Sequence, residues 1–453
     1  MQQHINFNLL VSLSDRGFSL DELVLRVQES FETKGFPGLL SLILNVVDEA
    51  LCLGLTGWQR QVVAECFKPC CQRCRWELKE REPRTIRTSL GKLEMLWRRL
   101  RCLGCGKSFV PLRQWLGLER WQSKTTALEK LVVEVVSEQS YRRSSDHLER
   151  IGAIPVPRST AHRWVVESGC DKIPAPVDPL PTLLVDGTGF KRRPNPSEGQ
   201  NNQGEVRVAI GLTHQGQAVA LGSWSGKSWS EIGLDLEQFA RREDGTLAEV
   251  LVSDGEPGLA EGLAALYNRA QGCHWHMVRD LGAKLWKEGA PLGQRKLEKK
   301  ELASIIALEI PAEEVQPVDA SEKAAWRQRI RQAESDLEKL ACSLAERTWH
   351  HAAEYVRMLK KRLFGYLEFW LETGLIAPRT NSFMERMMRE LGRRIKRIGF
   401  GWSEEGAAQM CRILLRRITD PKDWQTWWEE KLGIANNVFC AIRDIKLITP
   451  KAA

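Results

Sequence analysis

The sequence contains neither a basic amino-terminal segment followed by an apolar one nor a long apolar run free of charge. It opens with MQQH, which lacks the pattern of a signal peptide, and its apolar run 39–55 is interrupted by Asp48 and Glu49. We therefore expect a cytosolic protein with no membrane span. In the cytosol, its 12 cysteines are more often thiols or metal ligands than disulfides.

Neither sign of charge dominates the composition, since 66 Lys and Arg stand against 58 Asp and Glu, for a net charge of +8. This balance favours anionic partners only weakly, and an ordinary basic soluble protein fits equally well. With 43% hydrophobic residues, the 453-residue chain has the composition of a globular protein of two or three domains. Residues 1–60 predict a helical segment without recognisable chemistry, so we expect it to pack or to oligomerise.

Two CxxC pairs lie in the segment 61–115. A CxxC turn places two thiolates on one side of a knuckle, and two such knuckles complete the tetrahedron that zinc prefers. Residues 84–97 between the pairs predict a hairpin, and Gly104 suits a knuckle in which backbone amides approach sulfur. The pattern predicts a zinc ribbon, with four unrelated core cysteines as the alternative and Cys70 as a spare that could replace Cys71. The predicted zinc ligands are Cys71, Cys74, Cys102 and Cys105.

The segment 120–170 follows a pattern of helix, helix, turn and helix. Thr126 begins the first predicted helix, residues 142–151 form the second, and Ser159 caps the third. This is the arrangement of a helix-turn-helix DNA-binding domain, although many small helical bundles share it. Three apolar residues of the last helix would pack inward: Ala161, Trp164 and Val165. Four polar residues of the same helix would face DNA: Arg158, Thr160, His162 and Arg163.

The segment 172–181 holds four prolines in ten residues, which predicts a stiff linker and a domain boundary. Beyond it, residues 182–289 predict three strands, a helix that Ser228 caps and that runs to Arg242, and a strand that ends at Asp254. A helix over 257–270, a fifth strand over 271–276 and a further helix follow. That order is typical of the mixed sheet of an RNase H-like fold. In this fold the ends of the first and fourth strands lie side by side.

Each of those two strand ends carries an aspartate. The apolar run 183–185 ends at Asp186, and the run 250–253 ends at Asp254. An acid at the end of a buried strand is costly unless its charge is paired, and one divalent cation would pair both. We therefore predict that the two aspartates share a metal site.

The rest of the chain divides into an all-helical insertion at 290–375, a return to the sheet domain at 376–420, and a Trp-rich helical tail at 421–453 that we expect to pack. Glu385 lies on a helix that is otherwise densely basic, which suits a carboxylate aimed at metal and flanked by phosphate contacts. Glu390 is one rival for that role, and Glu256, which is expected two residues past Asp254 on the same strand face, is another. The basic residues predicted to contact DNA are Arg386, Arg389, Arg393, Arg394, Lys396 and Arg397.

Together these motifs resemble bacterial insertion-sequence transposases of the DDE, RNase H-like class, on the Mutator-like branch. The resemblance covers residues 182–415. Its motifs are VDGTGFK around Asp186, VSDGEPGL around Asp254, CHWHMVRD from Cys273, and TNSFMERMMRELGRR around Glu385. The CxxH motif after the second aspartate and the helical insertion before the glutamate mark that branch. The zinc ribbon and helix-turn-helix also look like the amino-terminal halves of such proteins.

The resemblance implies a homo-oligomeric DNA transposase that binds terminal inverted repeats, cleaves phosphodiester bonds and joins the ends to target DNA. Asp186, Asp254 and Glu385 would form a catalytic triad that holds two Mg²⁺ or Mn²⁺ ions, and Zn²⁺ would be structural. Cys273 and His276 would lie next to the active site, where packing is their expected role. Trp275 could stack on a flipped base, although a core position is the expectation.

Two other functions stay open at this point. A catalytically silent, transposase-derived regulator would keep the ribbon and the helix-turn-helix, although the presence of all three acids argues against it. A metal-dependent nuclease would cut DNA without strand transfer.

Overall fold

The computed structural model describes most of the chain, in these ranges: 19–57, 67, 69–152, 154–170, 173, 175–176, 178–194, 202–240, 242–310, 319–398 and 401–434. The chain divides into an amino-terminal unit, residues 1–136 and 141–162, and a carboxy-terminal unit, residues 137–140 and 163–453. This division lies upstream of the segment 172–181 that was predicted as the boundary. Several positions of that segment, and Pro311 and Pro317 in the insertion, lie outside the described residues.

The amino-terminal unit begins with helices α1 (Leu20–Ser30) and α2 (Phe36–Thr56), joined by a π-helical turn. By length and composition α2 is the one helix of the described chain that could cross a membrane, and its most apolar window is 28% buried. It packs on the sheet of this unit through Leu51 and Leu55. Asp48, which interrupts its apolar run, is buried and forms an ion pair with Arg98 at 3.0 Å.

The sheet of this unit has three antiparallel strands, β1 (Trp76–Thr88), β2 (Gly91–Cys102) and β3 (Ser108–Phe109). The hairpin expected between the cysteine pairs is therefore present, and its strands run further than the predicted segment. Thr88 pairs with Gly91 at the tight turn, and Gly91 adopts a φ of +108°, which favours glycine. A short helix, α3 (Pro111–Trp115), follows β3.

Three helices follow, α4 (Thr126–Glu138), α5 (Tyr141–Gly152) and α6 (Arg158–Gly169), and the division between the units falls among them. Helix α6 begins at Arg158, so Ser159 lies inside the helix and the prediction that it caps the helix is wrong. Its apolar residues Ala161, Trp164 and Val165 are buried, as predicted.

The carboxy-terminal unit contains a mixed five-stranded sheet with the strand order β6-β5-β4-β7-β8. Strands β4, β5 and β6 pair antiparallel, whereas β7 pairs parallel to β4 and β8 parallel to β7. The first strand of the unit therefore lies beside the fourth. The strand bounds are β4 (Leu180–Lys191), β5 (Gln203–Leu212), β6 (Ala218–Ser225), β7 (Ala248–Ser253) and β8 (Tyr267–Gly272).

Helix α7 (Trp229–Glu237) packs on this sheet through Trp229, Ile232 and Leu236. Ser228 caps it in a capping box with Glu231, but the helix ends five residues before Arg242, the predicted end. The helix predicted over 257–270 is wrong as well. Only α8 (Leu259–Gly262) is α-helical there, because β8 pairs with β7 from Tyr267 onward.

Where the structure describes it, the chain from Cys273 onward is helical apart from short connections. Helix α9 begins at His274, so the predicted fifth strand over 271–276 is displaced toward the amino terminus. The insertion is helical where it is described. The helix bounds are α9 (His274–Lys287), α10 (Leu292–Ile305), α11 (Ala320–Glu346), α12 (His350–Leu359), α13 (Gly365–Thr373), α14 (Ser382–Gly392), α15 (Glu404–Thr419) and α16 (Pro421–Leu432).

Candidate metal centres

Five thiols lie together at the end of the β1–β2 hairpin. Cys70 Sγ is 3.4 Å from Cys105 Sγ and 3.6 Å from Cys74 Sγ, and Cys71 Sγ is 3.7 Å from Cys102 Sγ. The cysteines of the described chain are all free thiols. Four thiolates at the Zn–S distance of about 2.3 Å would lie about 3.8 Å apart in a tetrahedron. The spacing of these thiols is therefore close to that of a structural zinc site.

The four thiols whose sulfur atoms lie within 4.8 Å of one another are Cys70, Cys71, Cys102 and Cys105. This cluster could hold a structural metal such as zinc. Three of its members are predicted ligands, but Cys70 takes the place that the CxxC pattern gave to Cys74. The sequence predicts Cys70 only as a possible replacement for Cys71, whereas both belong to the cluster.

The backbone around the cluster favours the thiolate of Cys102, whereas burial and the neighbouring thiols raise the pKa of Cys70 and Cys71. Burial opposes ionisation of Cys102, yet hydrogen bonds from the backbone N–H groups of Cys105, Arg75 and Gly104 hold the pKa of its thiol at about 6. Gly104 approaches the facing knuckle so closely that a Cβ would lie 2.5 Å from the carbonyl oxygen of Arg73. Backbone amides that donate to sulfur and a glycine at the point of closest approach are what a zinc knuckle requires.

The two predicted aspartates lie on neighbouring parallel strands. Asp254 directly follows β7, as predicted, whereas Asp186 lies in the middle of β4. That strand does not end at Asp186 as predicted but continues to Lys191, because β5 pairs with it along its length. Leu184 of β4 is in register with Val252 of β7, and the same offset brings Asp186 opposite Asp254. Parallel neighbours in a sheet are about 4.8 Å apart. The carboxylates of Asp186 and Asp254 therefore share one edge of the sheet.

Glu385 lies close enough to Asp186 to act on it electrostatically. Burial, together with the negative charges of Asp254, Glu385 and Glu256, raises the pKa of Asp186 to about 7 against a hydrogen bond from the Gly187 N–H. Glu385 lies in the first turn of α14, which packs on β4. Three separate segments thus place Asp254 and Glu385 within electrostatic reach of Asp186, and we call these three acids the acidic patch. Together their carboxylates do not form one of the sets of potential ligands in the described chain whose atoms all lie within 4.8 Å of one another.

The two rival acids are paired elsewhere. Glu256 lies beyond the end of β7, not on its face as predicted, and its carboxylate is 2.8 Å from the guanidinium of Arg207. Glu390 is exposed and pairs with Arg393 at 3.2 Å. Neither carboxylate is as available to a cation as that of Glu385.

Cys273 and His276 lie directly beside the acids. His276 Nε2 is 3.7 Å from Glu385 Oε1, and the Cys273 sulfur accepts the backbone N–H of Asn381 at 3.2 Å. Burial lowers the pKa of His276 and raises that of Cys273, so both are neutral at pH 7 in the absence of a cation.

Two further residues, Asn381 and Arg362, lie beside these acids. Asn381 precedes α14 and is fully buried, and its side-chain amide has no hydrogen-bond partner within the described chain. Arg362, from the helical insertion, covers Gly255 directly after Asp254. A Cβ on Gly255, whose φ is +88°, would lie 1.6 Å from Arg362 Nη1. The sequence contains no pattern that links Arg362 to this strand end.

Trp275 corrects another expectation. It was expected in the core, but it is 56% exposed. Its ring lies at right angles to that of His276 at 4.9 Å, and the guanidinium of Arg279 lies 5.3 Å from its centroid. An exposed aromatic ring therefore borders the acidic patch.

The residues predicted to contact DNA lie on α6 and in and after α14. Arg158 and Arg163 of α6 are exposed, whereas Thr160 and His162 are half-buried, with the His162 ring 5.3 Å from that of Tyr141. Four basic residues, two in α14 and two in the π-helical turn that follows it, are exposed and form no ion pair within the described chain: Arg386, Arg389, Lys396 and Arg397.

The other two residues of that basic run are engaged within the protein. Arg393 forms an ion pair with Glu138 at 2.8 Å. Arg394 is 1% exposed, so its predicted contact with phosphate is wrong. The π-helical turn Arg393–Arg397 directs it inward, where it donates to the Ile398 carbonyl at 2.7 Å and lies 4.8 Å from the centroid of the Trp402 ring.

Neither known protein families nor curated proteins yield a match to this chain.

Proposed function

We propose that this protein is a DNA transposase of the DDE, RNase H-like class, which binds the ends of an insertion sequence, cleaves them and joins them to target DNA. The observation that carries the proposal is the convergence of Asp186, Asp254 and Glu385 at one edge of a mixed sheet. Two of these acids share a strand register, and the third comes from a helix that follows a large helical insertion.

The strand order supports the proposal independently of the acids. Three antiparallel strands followed by two parallel ones, with the first beside the fourth, is the order expected for an RNase H-like sheet. In this fold type, strand ends of the central pair present side chains to a ligand. The part of the chain before β4 would supply DNA recognition through a zinc ribbon and a helix-turn-helix that includes α6, where Arg158 and Arg163 are exposed.

The acidic patch fits Mg²⁺ by its chemistry. Its donors are carboxylate oxygens, which hard divalent cations prefer, and a buried acid beside two like charges is unfavourable until a cation arrives. Asp186, Asp254 and Glu385 would hold the metal. Bound there, two Mg²⁺ or Mn²⁺ ions would supply activation of a water or 3′-hydroxyl nucleophile and stabilisation of the leaving oxygen.

Basic residues in and after α14 would position the DNA. The exposed side chains of Arg386, Arg389, Lys396 and Arg397 would contact the phosphodiester backbone without reading sequence.

Asp186 must be ionised to bind a cation, and its pKa of about 7 means that it is only partly ionised at neutral pH without one. Arg207 would keep Glu256 from competing as a ligand.

Strand cleavage and joining with purified protein test the proposal. The substrates are linear DNA that carries the terminal repeats flanking the coding region, and a target plasmid, in Mg²⁺. Asp186→Asn and Glu385→Gln are expected to lose both products, by about a thousandfold or more if transition-state stabilisation at the acids is lost, while end binding survives. Glu256→Gln is the matched control and should retain both products.

The same experiment separates the alternative functions. Cut ends without joined products would indicate a nuclease, and binding without cleavage by the wild-type protein would indicate a regulator. Retained cleavage in Glu385→Gln would remove that residue from the site.

A further inference from the structure

A second set of ligands overlaps the acidic patch. Cys273 follows β8, His276 lies in the first turn of α9, and Glu385 lies in the first turn of α14. Their sulfur, ring nitrogen and carboxylate oxygen lie within 4.8 Å of one another. We propose that these three residues bind a thiophilic divalent cation of the Zn²⁺ class, and that this cation withholds Glu385 from the catalytic patch.

The distances favour a shared cation over direct hydrogen bonds. His276 Nε2 and Glu385 Oε1 are 3.7 Å apart, which is too long for a hydrogen bond. Two ligands on one tetrahedral zinc, with bonds of about 2.0–2.1 Å, lie about 3.3 Å apart. A shift of a few tenths of an ångström would therefore bring this pair to the spacing of two zinc ligands, and the Cys273 sulfur lies within 4.8 Å of both.

The surroundings hold two of the ligands in place and leave the third free to move. Cys273 and His276 are 1% and 7% exposed, whereas the Glu385 side chain is 36% exposed. The Asn381 N–H donates to the Cys273 sulfur, and such a contact orients a metal-bound thiolate. The half-exposed Glu385 can turn toward either ligand set, and its solvent side leaves room for water as a fourth ligand.

Ligand chemistry separates this site from the acidic patch. Sulfur and imidazole nitrogen select zinc and similar metals, whereas carboxylate oxygen suits Mg²⁺ and Mn²⁺. On binding, Cys273 would release its thiol proton to solvent. The CxxH motif supplies only two ligands along the chain, and the fold supplies the third by placing α14 beside α9.

The two sets share Glu385, so occupation of one competes with occupation of the other. The expected consequence is that Zn²⁺ inhibits DNA cleavage and that excess Mg²⁺ relieves the inhibition. This consequence rests on the function proposed above, but the existence of the metal site does not.

Binding is tested with Co²⁺, whose thiolate complexes absorb in the near ultraviolet and visible, on full-length protein whose four-cysteine cluster is already loaded with zinc. Wild-type protein is expected to bind one further equivalent with a thiolate-to-cobalt absorption band. Cys273→Ser should lose the band, and His276→Ala and Glu385→Gln should bind Co²⁺ at least about tenfold more weakly. Cys342→Ser, which removes an exposed thiol of α11, is the matched control and should bind like wild type.

Two results would overturn the site. One is the absence of a further thiolate band in the wild-type protein, and the other is a band that persists in Cys273→Ser. If Cys273→Ser does not fold, Glu385→Gln decides the question, because this half-exposed residue can be replaced without opening the core. An unchanged Co²⁺ affinity in that variant would exclude Glu385 as a ligand.

Asp254→Asn separates this inference from the proposed function. Asp254 is not one of the three ligands, so the variant should bind Co²⁺ like wild type even though it cannot cleave. In cleavage assays with wild-type protein, Zn²⁺ should inhibit at concentrations that rise with Mg²⁺. For the Cys273→Ser variant, the Zn²⁺ concentration that halves its cleavage rate should be at least about tenfold higher than for wild type. Equal inhibition of both proteins would leave the site without a regulatory role.

Discussion

The thiol cluster and the acidic patch differ in how their surroundings change the pKa of the ligands. The thiol cluster comes from two knuckles of one hairpin, and backbone N–H groups lower the pKa of Cys102 before any metal is present. The acidic patch comes from β4, the end of β7 and α14, and burial together with its like charges raises the pKa of Asp186. The first arrangement prepares one of its ligands, Cys102, for a cation, whereas the second stores repulsion that a cation or a proton relieves.

This contrast predicts opposite responses to the loss of a ligand. A thiol that helps to hold the hairpin should destabilise the protein when it is removed. An acid that is held against its neighbours should stabilise the metal-free protein when its charge is removed, at the expense of metal binding. Structural sites and catalytic sites commonly differ in this way.

Cys102→Ser should have the largest effect. Cys102 is 1% exposed at the end of β2, so the variant loses a ligand and places a hydroxyl in the core. Zinc contributes on the order of 10 kcal/mol to the folding of small zinc domains, and we expect a loss of several kcal/mol here together with the bound zinc. Zinc content and denaturant unfolding of the purified protein measure both.

Cys170→Ser serves as the control because Cys170 is exposed and lies outside the cluster. It should retain zinc and stability. If Cys102→Ser keeps its zinc, or if chelation leaves the wild-type protein equally stable, then the thiol cluster is not a structural metal site.

Asp186→Asn should have a smaller effect of the opposite sign. The pKa of Asp186 is raised from 3.8 to about 7 in the folded protein. Between these values the folded state retains a proton that the unfolded state releases, so rising pH lowers the free energy of unfolding. The full shift corresponds to at most about 4 kcal/mol, and the partial exposure of the site reduces this to about 2 kcal/mol.

The measurement is thermal unfolding between pH 4 and pH 8 of protein whose acidic patch holds no added divalent cation. Wild-type protein should lose stability over this range, and Asp186→Asn should lose less and unfold at a higher temperature at pH 8. Added Mg²⁺ should raise the Tm of wild type only. Glu390→Gln, on the exposed side of α14, should behave like wild type, and an identical profile for Asp186→Asn would show that repulsion at the patch is negligible.

The same contrast explains what the sequence could predict. The cysteine pairs, the hairpin between them and the end of β7 before Asp254 follow from local patterns, and all are present where those patterns place them. Tertiary pairing overrides local preference twice. Strand β4 continues past Asp186 to Lys191 because β5 pairs with it, and β8 replaces a predicted helix at residues 267–270 because β7 offers it a partner.

Contacts between distant segments leave no local pattern. The π-helical turn that buries Arg394 and the reach of Arg362 to Gly255 depend on how helices pack after the sheet has formed. The approach of Glu385 to Cys273 and His276 is of the same kind. A CxxH motif predicts two ligands, but only the packed position of α14 identifies the third.

The choice between Cys70 and Cys74 gives the smallest expected effect and sharpens the comparison most. The CxxC spacing favours Cys74, whereas the mutual approach of the sulfur atoms favours Cys70. Because Cys74 still contacts Cys70 at 3.6 Å, we expect Cys74→Ser to weaken zinc binding by about tenfold, the effect of a residue that orients a ligand. Cys70→Ser should weaken it considerably more. Competition with a chromophoric chelator measures both affinities, and the reverse order would mean that zinc binding rearranges the knuckle so that the spacing in the sequence, and not the metal-free geometry, determines the ligands.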